Sequence, residues 1–116
     1  MTTDCIFCKI AAKEIPANIV YEDDTVIAFR DLTPQAPMHV LIVPKKHMEN
    51  IAALVASDDD EKLAGHIMKV AVKVAEAENI KNGWRLVANT GEDGGQTVPH
   101  LHFHVLGGRK MLWPPG

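Results

Sequence analysis

The stretch His100-Leu101-His102-Phe103-His104-Val105-Leu106, closed by Gly107-Gly108, constrains the fold more than any other. Histidine alternates with an apolar residue. Alternation at period two predicts a β-strand with Leu101, Phe103 and Val105 on one face and the three imidazoles on the other. Three imidazoles in register make a poor solvent-exposed surface, because they repel one another if protonated together. They also make a poor single metal cage. Residues two apart on a strand lie about 6.6 Å apart, so His100 and His104 stand roughly 13 Å from one another, and one ion reaches two neighbours but not all three. The spacing therefore predicts a division of roles along one strand.

Upstream, Trp84-Arg85-Leu86-Val87-Ala88 reads as a strand running into the loop Asn89-Thr90-Gly91-Glu92-Asp93-Gly94-Gly95-Gln96-Thr97, from which the histidine strand leaves. Glycines let backbone N–H groups turn toward an anion, and Gln96 and Thr97 add side-chain donors. Taken alone, the glycines fit a plain hairpin loop. Beside nucleophilic ring nitrogens, a donor-rich loop suits a phosphate ester.

The chain of 116 residues is one domain's worth, expected to run from 1 to 116 without a boundary. Its 47% apolar and 23% charged residues are ordinary for a soluble domain. A net charge of −3 with no basic block speaks against nucleic acid or a membrane surface as partner. Met1-Thr2-Thr3-Asp4 lacks a basic segment followed by an apolar run, and no apolar run is long enough to span a bilayer, so a cytoplasmic location is expected. In that compartment two cysteines are expected as thiols or metal ligands.

Cys5 to Ala12 predicts a short helix opened by Asp4 and stopped by Pro16. Its Cys5-x-x-Cys8 pair supplies half of a tetrahedral zinc site; two small buried thiols are the plainer alternative. Ile19–Tyr21 and Thr25–Phe29 read as strands joined by a turn at Glu22-Asp23-Asp24. A proline-bearing loop from Asp31 to Pro37 then leads into His39-Val40-Leu41-Ile42-Val43, a nearly continuous apolar strand expected to be central. Ser57 before Asp58-Asp59-Asp60-Glu61 reads as the cap and acidic first turn of a long helix of about 22 residues ending near Asn79. Leu63, Ile67, Val70 and Val74 form its buried stripe, with His66 as a boundary residue. The sum is an α+β fold: an antiparallel meander of about five strands, one long helix and a short N-terminal helix, with the helices on one face.

His100-x-His102-x-His104 followed by two apolar residues resembles the signature of the histidine-triad (HIT) superfamily of nucleotide hydrolases and transferases. The surroundings resemble its Hint branch (histidine-triad nucleotide-binding proteins): Asn89, Gly91, Gly94-Gly95-Gln96, Gly107-Gly108, the tail Trp113-Pro114-Pro115-Gly116, and Asp31-Leu32-x-Pro34-Gln35-Ala36-Pro37-x-His39. The likeness runs from around Cys5 to Gly116. It implies a HIT-like fold that dimerises into a continuous larger sheet, and hydrolysis of purine nucleoside 5′-phosphoramidates, adenosine preferred. His102 is the implied nucleophile and His104 the donor to phosphate or leaving group, with His39 and His100 completing the catalytic set. Implied nucleotide contacts are Asp31 to the ribose, Leu32 to the base, and Asn89, Gln96 and Thr97 to the α-phosphate, together with Gly95, His102 and His104. Trp113 is implied to lie near the site across the dimer interface. Members with an N-terminal CxxC resemble a zinc-bearing subset, which implies a structural Zn²⁺ held by Cys5, Cys8, His47 and His100. Thr97 stands where serine is common in this branch, and keeps the hydroxyl donor. Two other readings stay open: a sibling activity on dinucleoside polyphosphates or nucleotidyl transfer, and a nucleotide-binding interaction protein. The transferase branch has His-Pro-His where this chain has His102-Phe103-His104.

Overall fold

Residues 4–58 and 60–116 are described by the computed structural model, so the leader reading on Met1–Thr3 and the role of Asp59 lie outside the described residues. The elements in order are α1 (Ile6–Ala11), β1 (Ile19–Glu22), β2 (Val26–Arg30), β3 (Met38–Pro44), α2 (Ile51–Val55), α3 (Asp60–Ala77), β4 (Trp84–Val87) and β5 (Phe103–Gly107). The strands form one antiparallel sheet in the order β1-β2-β3-β5-β4. The first three meander. The chain then crosses over through α3 to lay β4 on the far edge, and β5 returns into the gap beside β3. All of β3 is buried, as its apolar run, broken only by His39, requires of a central strand covered on both faces.

Strand parity sorts the side chains into two cores. Val26, Ala28, Val40, Ile42, Leu101, Phe103 and Val105 meet Leu63, Ile67, Val70 and Val74 of α3. On the opposite face Ile27, Phe29, Leu41 and Val43 meet Phe7 and Ile10 of α1. The helices therefore do not share one face. With only Phe7 and Ile10 buried, α1 covers a strip of its face, and the same face carries His104 opposite Leu41 and His39 two residues before it.

Local signals explain the other differences from the sequence reading. Lys13, at φ 65°, ends α1 before Pro16 is reached, with the Lys13 and Glu14 N–H groups closing on the Ile10 and Lys9 carbonyls. Cys5 is the N-cap of α1, its Sγ accepting from Cys8 N–H at 3.4 Å. Ser57 closes α2 by donating to the Leu54 carbonyl at 2.7 Å, and Asn50 opens that unforeseen helix by accepting from Ala53 N–H. The long helix α3 accordingly spans 18 residues, and Asn79 at φ 59° stops the chain from continuing it. His66 does more than flank the stripe. Its Nε2 meets the Asp23 carboxylate at 2.6 Å, tying α3 to the β1–β2 turn. Finally, β5 begins at Phe103 rather than His100, because Pro99 lacks an N–H and the next two amides turn to the Val98 and Met48 carbonyls. The alternation survives nonetheless: Leu101 lies in the α3 core while His100 packs edge-on against Phe7. Among the described residues no helix is long and apolar enough to cross a membrane.

Candidate active site and thiol–imidazole cluster

His102 is almost completely buried, and its Nδ1 lies 2.7 Å from the His100 carbonyl oxygen. A carbonyl only accepts, so the neutral ring carries its proton on Nδ1 and its in-plane lone pair on Nε2. The Phe7 ring meets His102 edge-on at 5.1 Å between centroids and is itself braced by Phe29 at 5.6 Å. The ring is thus held in one tautomer and one orientation.

His39 and His104 form a chain of defined direction. The Gln35 backbone N–H donates to His39 Nδ1 at 3.0 Å, which requires a lone pair there and places the proton of the neutral ring on Nε2. His39 Nε2–H then donates to His104 Nδ1 at 2.9 Å, so neutral His104 carries its proton on its own Nε2. Burial, followed by the neighbouring His102 and His39 rings, pushes His104 down to about 4, with the Asp31 carboxylate opposing. Burial lowers His39 as well, again against Asp31. Both rings are neutral at pH 7, and His104 presents an N–H donor. Asp31 stands 3.5 Å from His39 Nε2 through one oxygen, while its other oxygen accepts from the Thr33 N–H and hydroxyl. Asp31, His39 and His104 lie close enough together to hold a metal ion, but the donors do not fit one. With its Nδ1 lone pair taken by Gln35, His39 could ligate through Nε2 only as an imidazolate.

The second cluster joins Cys5, Cys8, His47 and His100, whose ligand atoms all lie within 4.8 Å of one another. His100 Nε2 donates to the Pro44 carbonyl at 2.8 Å, so its Nδ1 lone pair points inward. That nitrogen lies 3.2 Å from Cys5 Sγ, 3.5 Å from Cys8 Sγ and 3.1 Å from His47 Nδ1. A tetrahedral ion with N and S ligands has edges of about 3.3–3.8 Å, given bonds of about 2.0–2.3 Å. Donor type, spacing and the carbonyl behind His100 all fit a closed four-ligand site.

Beside the histidines, the loop after β4 is folded on itself. A Cβ at Gly94 would run into the Thr90 carbonyl, and Gly95 sits at φ +78°, so the tight turn depends on both glycines. Asn89 Nδ2 donates to the Gly94 carbonyl at 2.7 Å, using one of its two N–H groups. Gln96 donates from Nε2 to the Glu49 and Val98 carbonyls and accepts from Gly91 N–H, so its side chain pins the loop rather than facing outward. Thr97 is exposed. Leu32 and Trp113 project from the single chain, 95% and 86% exposed, and the tail is held at its root by Arg85 Nη2 on the Leu112 carbonyl at 3.0 Å.

A family model of the HIT domain matches residues 12–111. The chain belongs to the HIT family. An uncharacterized HIT-like protein of Synechococcus elongatus is 51% identical over 116 residues, the full length of both chains. The crystal structure of a HIT family hydrolase from Legionella pneumophila superposes with a TM-score of 0.91 at 53% identity, covering 97% of this chain and 100% of that one. A histidine triad protein from Clostridium difficile gives 0.89 at 48% identity, with 95% of each chain covered.

Within that HIT fold, the structure brings His39, His102, His104 and Asp31 together and gathers Cys5, Cys8, His47 and His100 in a second cluster, linked to the first where His102 Nδ1 donates to the His100 carbonyl. Sequence reasoning missed Gln35 N–H, the Pro44 carbonyl and Phe7. Two of these are backbone groups, which no residue type announces, and Phe7 is one of several apolar residues in α1, with nothing in its residue type to set it apart.

Proposed function

We propose that this HIT-family chain is a nucleotide hydrolase that cleaves the P–N bond of purine nucleoside 5′-phosphoramidates. The observation that carries the reading is the tautomer of His102: Nδ1–H is fixed on the His100 carbonyl, which leaves Nε2 as a nucleophile. His102 Nε2 forms a bond to the α-phosphorus as the bond to the amine breaks. Water then attacks phosphorus, the bond to His102 breaks, and its lone pair returns. One water is consumed, and its hydrogens end on the amine and the phosphate. The His104 ring lies 5.1 Å from His102 between centroids, and its Nε2–H is assigned as the donor to the developing charge on the phosphoryl oxygen or leaving group. Thr97 and the second N–H of Asn89 supply further donors, while Gly95 and Gln96 shape the loop that holds them. Asp31 and Leu32 are assigned to ribose and base.

The thiol–imidazole cluster is assigned to a structural Zn²⁺, whose binding would couple α1 to β3 and to the start of the histidine segment. The open edge of β4, together with exposed Trp84, Met68 and Val72, supports a homodimer with joined sheets. In that assembly the exposed Trp113 is assigned to the partner's site.

The test is a rapid acid-free quench of turnover with substrate labelled in the α-phosphoryl group. Acid-labile label on the protein is expected, alongside faster release of nucleoside monophosphate from an adenosine phosphoramidate than from a dinucleoside polyphosphate. Turnover without labelled protein would remove the covalent step, and a preference for the polyphosphate would move the chain to the sibling activity.

A further inference from the structure

The direction of the His39–His104 chain is set from outside the site. Gln35, whose N–H fixes His39, is gripped by its own carbonyl: Arg109 Nε donates to Gln35 O at 3.0 Å. Arg109 follows β5 directly after Gly108, which sits at φ +91° against Pro37, where a Cβ would come within 2.9 Å of the Pro37 ring. The segment after β5 thus clamps the 31–37 loop at two points, Gly108 under Pro37 and Arg109 on Gln35. Within the loop, Gln35 Nε2 donates to the Thr33 carbonyl at 2.9 Å, and Thr33 in turn donates to Asp31. An arginine at the root of the tail therefore reaches His104 through one residue, one backbone amide and one imidazole.

We propose that Arg109 is a positioning residue: by holding Gln35 it keeps His39 in the Nε2–H tautomer, which obliges His104 to present its Nε2–H to the phosphoryl group. If Gln35 N–H swings away, His39 can carry its proton on Nδ1 and offer Nε2 as an acceptor. His104 then turns its proton inward and faces substrate with a lone pair, which repels a phosphoryl oxygen instead of binding it. The inference rests on the phosphoramidase reading for its catalytic consequence, and on the hydrogen bonds alone for the tautomers.

Long-range ¹H–¹⁵N correlation of the imidazoles in the intact, metal-loaded protein reads the tautomers without substrate. Wild type is expected to show Nε2–H at both His39 and His104. Arg109→Met, which keeps the stem and removes the donor, is expected to give mixed tautomers at both. Its kcat on phosphoramidates should fall about three- to tenfold, the scale of one hydrogen bond's net contribution, while KM changes little. Arg109→Lys should recover part of both signals, because an ammonium can reach the same carbonyl. Gln35→Pro removes the N–H outright and should shift the tautomers further; if that variant fails to fold, Arg109→Met carries the test. Wild-type His39 in the Nδ1–H form overturns the proposal, as do unchanged tautomers and kcat in Arg109→Met. Shifted tautomers in a protein whose wild type turns over no phosphoramidate would uphold the positioning and overturn the functional reading instead.

Discussion

Two pairs of imidazoles lie in close contact on the same side of the sheet, and they behave in opposite ways. His47 and His100 face each other through Nδ1 atoms 3.1 Å apart, beside two thiols; His39 and His104 meet at 2.9 Å. The difference lies behind the rings. A carbonyl, that of Pro44, holds the far nitrogen of His100 and turns a lone pair toward the contact. A backbone N–H, that of Gln35, holds the far nitrogen of His39 and turns a proton toward it. The first arrangement turns a ring lone pair toward two sulfurs and a second imidazole, a donor set that could hold a cation; the second is a satisfied hydrogen bond and needs none. His102 sits between them, its Nδ1 donating to the His100 carbonyl and its ring 5.1 Å from His104. The proposed nucleophile thus takes its tautomer from one cluster and its neighbouring donor from the other.

The largest expected effect removes the residue between the clusters. His102→Ala should retain nucleoside monophosphate binding while phosphoramidate turnover falls by about 10²–10⁴, or roughly 3–5 kcal/mol of barrier. Steady-state kinetics with a parallel binding titration decides it, and near-normal turnover in the variant would sink His102 as the nucleophile. Next comes the metal contrast. Cys8→Ser should lose zinc by elemental analysis and melt lower by about 10 °C or more, corresponding to roughly 2–4 kcal/mol, because a closed site contributes directly to folding. Asp31→Ala, in the cluster argued to bind no metal, should leave zinc content at wild-type level. Equal metal loss in both variants would erase the distinction between the clusters.

Much of this was legible in the chain. The alternation around His102 gave the face on which each side chain lies, and it holds back to His100 even though β5 starts at Phe103. The nearly continuous apolar run of β3 announced a central strand, and the Leu63, Ile67, Val70 and Val74 stripe announced the covering helix. The placement of α1 opposite α3 was not legible, since Phe7 and Ile10 are too few to say which face they cover. Residue types also named the histidines of both clusters without separating their chemistry. That separation depends on whether an amide N–H or a carbonyl stands behind each ring, and Gln35 and Pro44 contribute only backbone there. Ser57 misled for a similar reason: a hydroxyl can cap the start of one helix or close the end of another, and local sequence does not choose.

A smaller effect concerns proton uptake. An unfolded histidine binds its proton near pH 6.5, whereas folded His104 does so only near 4. Between those values the unfolded chain holds more protons, so stability is full above about pH 6.5 and declines as pH falls toward 4. His39, lowered by burial, adds to the same slope. Melting temperature against pH should therefore fall less steeply in His104→Gln than in wild type. Acid release of any bound metal would be common to both proteins and would cancel in the difference. Parallel curves would show that His104 titrates normally in the folded state.

The smallest effect comes from applying one substitution to both clusters. Glutamine at position 39 offers an acceptor for the Gln35 N–H and a donor for His104 Nδ1, the same order of hydrogen bonds that His39 provides. Activity in His39→Gln should fall tenfold or less, about 1.4 kcal/mol. His39→Leu fills the space but strands both partners, and leaving buried polar groups unmet costs about 1–3 kcal/mol each, so its loss should be clearly larger. At position 47 the ranking collapses. A primary amide is a poor replacement for an imidazole ligand, so His47→Gln and His47→Leu should both release zinc while leaving the His39–His104 tautomers unchanged. Measuring kcat and zinc content across the four variants separates a hydrogen-bonding histidine from a metal-binding one. If His39→Gln is as damaged as His39→Leu, the ring at position 39 does something that directional hydrogen bonding does not describe, and the relay from Gln35 to His104 would have to be abandoned.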